Sequence, residues 1–138
     1  MKVSWLVQYV VAAVAFVLID FVWLAFVAQA LYEDQLGDLL APSPNVAAAV
    51  VFYAIFVAGL VFFVVQPALA AASWRRAAGS GAFFGLVTYA TWDLTSLAVL
   101  RDFPVALVPI DLAWGMVLSA SVATTTYAVL RARAGRDA

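Results

Sequence analysis

Residues 3–31 read VSWLVQYVVAAVAFVLIDFVWLAFVAQAL, a run in which Asp20 is the one charged side chain. About 20 helical residues suffice to cross ~30 Å of hydrocarbon, so this run spans a bilayer with length to spare. Comparable apolar runs follow at about 45–72, 77–100 and 105–130. A strand of a membrane barrel would be only ~10 residues of alternating polarity, and none of these runs alternates in that way. The chain of 138 residues is 67% hydrophobic and 11% charged, which leaves too little polar surface for a soluble domain. The expected fold is an all-α membrane protein, a single four-transmembrane-helix bundle over residues 1–138 embedded in a lipid bilayer. Ala28-Gln29-Ala30 resembles a signal-peptide cleavage site, but the preceding run is much longer than a signal core and Asp20 interrupts it, so a membrane helix is expected.

The chain has no cysteine and no histidine. Disulfides, thiolate chemistry, His- or Cys-built zinc sites, His-ligated haem and Ser-His-Asp triads are thereby excluded. The only lysine is Lys2, outside the apolar runs, so a buried Schiff base is excluded as well. No cofactor is implied. A net charge of −1 argues for no charged partner, and no nucleic acid is expected.

Positive charge sorts between the helix ends. Lys2, Arg75, Arg76, Arg131, Arg133 and Arg136 fall on one side and Arg101 alone on the other, which by the positive-inside tendency puts both termini in the cytoplasm. The external connections are then an acidic loop around Glu33, Asp34 and Asp38 and a short turn at Arg101-Asp102-Phe103-Pro104. Pro42 and Pro44 block helix, and Asn45 is suited to cap the second helix. Gly81 and Gly85 form a G-x-x-x-G step that lets another helix approach closely. Pro67 and Pro109 are expected to free carbonyls and kink their helices.

Asp20, Asp93 and Asp111 are the acidic residues that lie within the apolar runs. A carboxylate at the centre of a membrane helix is unfavourable by roughly 2.5 to 3.5 kcal/mol on insertion scales, so three of them call for a use. At ~1.5 Å per residue, Asp111 lies about 10 Å, Asp93 about 12 Å and Asp20 about 18 Å from the external boundary. Three helices thus bring a carboxylate to similar depth, and one shared site is the economical expectation. Residues three and four apart stack on a helix, which puts Trp23 beside Asp20, Trp114 beside Asp111, and Tyr89 and Ser96 beside Asp93, with Thr91, Trp92 and Thr95 nearby. These side chains donate hydrogen bonds and wall the site with rings. Arg101 is the single cation on that side and cannot neutralise three carboxylates. Some of them are expected to carry a proton, share one, or hold a small cation.

Several motifs occur in an order and spacing that resemble a known group. They are Ile19-Asp20 with Trp23-Leu24, Leu36-Gly37, Pro44-Asn45, Phe52-Tyr53, Pro67-Ala68, Gly81-Ala82 with Gly85, Thr91-Trp92-Asp93-Leu94-Thr95, and Asp111 with Trp114-Gly115. Over nearly its whole length the chain resembles the small bacterial membrane proteins grouped as domain of unknown function 2177. The resemblance implies a four-helix bundle, multi-pass in a bacterial inner membrane, and supplies no activity. Where that group usually reads Thr-Tyr-Asp-Leu-Thr-Asn, this chain has Trp92 and Ser96, which leaves fewer donors beside Asp93.

Three uses fit the acidic residues. The first is proton- or cation-coupled transport of a small solute, for which four helices are few, so that a homodimer is expected, with the Gly81/Gly85 face as its contact. The second is an enzyme in which an aspartic acid, Asp20 foremost, acts as general acid on an apolar lipid or isoprenoid ligand, with aromatic faces stabilising a cation. The third is a non-catalytic binding or assembly subunit. No catalytic residue is assigned and no dedicated metal motif is present.

Overall fold

The computed structural model describes residues 3–137, which form four long helices, Trp5–Leu39, Val46–Ala70, Trp74–Val99 and Leu107–Arg136. Each is long and apolar enough to cross a membrane, and among the described residues there is no strand. Lys2, one of the residues used to sort charge, lies outside the described residues. Three helix starts are capped as their residue types dictate. Ser4 accepts from the Val7 amide at 3.3 Å, Asn45 from Ala48 at 3.1 Å and Ser73 from Arg76 at 3.2 Å, each satisfying a first-turn amide that has no partner within its helix.

The helices alternate in direction and pack in a ring, first on second, second on third, third on fourth and fourth on first. Val3 and Ala134 line the same cavity, so both described chain ends lie at one end of the bundle. We call that the terminal half, and the half with the 40–45 and 100–106 connections the distal half. The terminal half holds the dense core, with Leu60, Val61 and Val65 of the second helix against Leu118, Val122 and Leu130 of the fourth, all with no solvent exposure.

The third and fourth helices meet along a seam of small residues. A Cβ on Gly81 would come within 2.9 Å of the Ser119 carbonyl, and one on Gly85 would collide with the Gly115 carbonyl. The G-x-x-x-G step therefore serves close packing, as expected. Its partner is the chain's own fourth helix, so that face is covered and cannot form the contact of a homodimer.

The boundaries differ from the sequence expectation in instructive places. The first helix does not end at residue 31. It stays α-helical through Leu36 and closes in a 3-10 turn over Gly37–Leu39, so Glu33, Asp34 and Asp38 decorate a helix end rather than a loop. Leu31, Tyr32 and Leu36 pack against Phe103, Leu107 and Val108, and that apolar contact holds the last turns in place while the acidic side chains point outward. Gly37 ends the α-helical part at φ 51, a conformation that side chains resist. At the other end the helix of the C-terminus runs on to Arg136, which places Arg133 and Arg136 in the last turn, where cations suit the helix dipole.

The two prolines behave differently. Pro67 follows a π turn at Val61–Val65, and the wider turn makes room for a ring that would otherwise crowd the Phe63 carbonyl. Pro109 does not kink the fourth helix. That helix starts at Leu107, so Pro109 lies in the first turn, where its missing amide had no intrahelical partner and no acceptor is freed near Asp111.

Candidate functional site

A cavity of about 360 Å³ lies in the distal half, between all four helices. The first helix contributes Asp20, Trp23, Leu24 and Tyr32, the second Phe52 and Tyr53, the third Thr88, Tyr89 and Trp92, and the fourth Asp111 and Trp114. None of these side chains is basic. Asp20 and Asp111 are buried in the protein, at 6% and 4% exposure.

The carboxylates take their donors from neighbouring helices, not from their own. Tyr53 donates to Asp20 at 3.4 Å, and Tyr32 donates a short hydrogen bond to Asp111. Trp23 and Trp114, each three residues beyond an aspartate of its own helix, stack face to face with centroids 4.4 Å apart and planes within 7°. Trp114 thereby neighbours Asp20 across the helix interface. Tyr89 stands within electrostatic reach of all three carboxylates. Its ring fits because Gly115 has no side chain, since a Cβ there would strike the Tyr89 ring.

Asp93 lies behind the cavity rather than on its wall. It is fully buried, its carboxyl adjoins that of Asp111, and neither of its oxygens has a hydrogen-bond partner within the protein. Arg101 is exposed and does not reach it. Ser96 is buried on the same helix face but does not donate to Asp93. Thr91 and Thr95 turn their hydroxyls to carbonyls of their own helix, Val87 at 2.7 Å for Thr91, as membrane-helix threonines commonly do. Of the expected site residues, Asp20, Asp111, Tyr89, Trp23 and Trp114 share the cavity, Asp93 adjoins it through Asp111, and Ser96 is apart. Among the described residues no three carboxylates come close enough to ligate one metal ion.

Tyr32, Tyr53, Phe52 and Thr88 were not expected at the site. Tyr32 is twelve residues beyond Asp20, which on a uniform α-helix is about 120° around the axis. A π turn over Leu24–Ala28 changes this. A π turn takes up one extra residue, leaving eleven α-helical steps and an offset of only about 20°. Tyr32 is thus returned to the face of Asp20, and the same shift explains why Ala28 is 1% exposed. The only signal for Tyr53 was the Phe52-Tyr53 motif.

The site has a floor and a cap. Towards the terminal half, Phe56 packs on Phe16 at 5.5 Å, on Phe84 at 5.3 Å and on Tyr89 at 6.5 Å, forming an aromatic layer beneath the cavity. At the distal end, Phe103, Leu107 and Val108 pack with Leu31, Leu36 and Leu97 over the top. The first half of the second helix makes its main contacts with the first helix, while its later part packs on the third and fourth. Its residues 46–52 are exposed apart from the half-buried Ala49, and Phe52 is both exposed and part of the cavity lining.

Fold and site together define a four-helix membrane bundle with a buried acidic, aromatic-walled cavity. The chain belongs to the family described as "Predicted membrane protein (DUF2177)", whose model matches residues 5–128. No curated protein and no solved structure matches the chain.

Proposed function

We propose that the protein, with both termini in the cytoplasm of a bacterium, binds a small solute in the distal cavity and couples its passage across the inner membrane to a proton or cation. The observation that carries this reading is the gathering of Asp20, Asp93 and Asp111 around Tyr89, inside apolar spans and without a basic residue on the cavity wall. Asp93 is fully buried with no hydrogen-bond partner for either oxygen, and a carboxyl so placed inside an apolar span is the kind of group that proton- or cation-coupled proteins use. Asp93 is off the cavity wall and adjoins Asp111, which stands on it, so a proton or cation held in the cavity meets the pair at Asp111.

A second cavity of about 420 Å³, lined by Gln8, Gln66 and Arg131 among others, lies in the terminal half. The aromatic layer around Phe56 and the core beneath it separate the two. Such a closed layer between two cavities suits a site that is reached from one side at a time. A homodimer partner would have to use a face other than Gly81/Gly85.

The test is flux in proteoliposomes under an imposed pH gradient, comparing the native protein with Asp93→Asn. Proton flux or proton-driven uptake in the native protein, abolished or severely slowed by the substitution, is the expected result. Equal flux in both, or none in either, overturns the reading.

A further inference from the structure

We propose that the solute is a lipophilic organic cation, an amine or quaternary onium group on an apolar body, and that it enters the distal cavity sideways from the lipid. The inference deepens the transport reading by naming its substrate class, but it rests on the binding cavity and not on flux.

The wall dictates the charge. Asp20 and Asp111 line the cavity with no basic neighbour, and the aromatic rings of Trp114, Tyr53 and Tyr89 line it beside them, side chains that suit a positive charge. An inorganic ion is a poor match. No three carboxylates meet to replace its water shell among the described residues, and a volume of about 360 Å³ is that of a small organic ligand.

The rim dictates the route. Leu24, Phe52 and Trp92 line the cavity and are 46%, 49% and 55% exposed, so they form its mouth, and all three are apolar. The axial path from the distal end is blocked by the Phe103, Leu107 and Val108 cluster, and the path from the terminal end by the Phe56 layer. What stays open is the gap at Leu24, Phe52 and Trp92, which on a bundle embedded in a bilayer faces acyl chains. A ligand using that gap must dissolve in the membrane and still carry a positive charge to Asp20.

The experiment is equilibrium binding of radiolabelled tetraphenylphosphonium to purified full-length protein in uncharged detergent. Triphenylphosphine oxide, built of the same rings but uncharged, and choline, cationic but without an apolar body, serve as competitors. Saturable binding is expected that neither competitor displaces at a hundredfold excess, that weakens at least tenfold in Asp20→Asn, and that returns in Asp20→Glu. Displacement by triphenylphosphine oxide, or unchanged affinity in a monodisperse Asp20→Asn, overturns the charge assignment. Displacement by choline overturns the lipid route, and absence of saturable binding by the native protein overturns the proposal as a whole. Phe52→Ser puts a polar group on the rim, and slower association is the expected effect; an unaltered rate argues against entry there. Binding of this kind without flux leaves the inference standing and removes transport, whereas proton flux without binding does the reverse.

Discussion

The terminal and distal halves of the bundle use the same four helices in opposite ways. In the terminal half, aliphatic side chains with no exposure fill the space between helices, and small residues bring the third and fourth helices into backbone contact. In the distal half the second helix stands off, and the space it leaves is lined by phenols, indoles and carboxylates. Lipid tails are as apolar as leucine, so association inside a bilayer depends on tight packing rather than on escape from water. The half that packs tightly supplies the association, and the half that does not is free to hold a polar site. Substitutions in the first should therefore change stability, and substitutions in the second should change what the cavity binds.

The largest effect on stability is expected in the terminal half. Leu118→Ala leaves a hole among residues that cannot close over it, and a loss of about 3 kcal/mol is expected from thermal or denaturant unfolding in detergent. Ligand affinity in the surviving folded fraction should be nearly native; a large change in affinity would mean that the two halves are coupled. Gly115→Ala falls at the boundary between them. Its new methyl group meets Tyr89 at Cγ and Cβ, the near end of that side chain, so the helices must shift as well as the ring, and a loss of about 2 kcal/mol is expected together with a displaced ring and weakened binding. Full stability and binding in this variant would show that Tyr89 is not held by the seam. Tyr32→Phe should show the smallest effect on folding, about 1 kcal/mol, because it removes one hydrogen bond to Asp111. A loss as large as that of Leu118→Ala would place the distal half among the elements that hold the bundle together.

The fold was legible because hydrophobic length is a coarse signal that four runs carry independently. That Asp20, Asp93 and Asp111 lie close together along the bundle could be read too, since rise per residue is nearly constant along a helix. The facing of side chains was less so. Neighbours assigned along one helix missed the donors that matter, Tyr53 and Tyr32, because these come across helix interfaces and one of them depends on a π turn that the sequence does not announce. The acidic stretch after residue 31 was misjudged for a related reason. Glu33 and Asp34 dominate its composition, yet Leu31, Tyr32 and Leu36 decide its structure by what they touch.

The π turn at Leu24–Ala28 has a consequence for chain length. Within the α-helical stretches of the membrane spans, removing or adding one residue rotates everything beyond it by about 100° and scrambles which side chains face inward. Here a surplus residue has already been absorbed, and Phe26, 79% exposed, contributes little to the interior. Shortening the chain by Phe26 would turn the segment into an ordinary α-helix with Asp20 and Tyr32 still on one face. The first helix therefore contains a point at which length can drift by one residue without disturbing the site it serves.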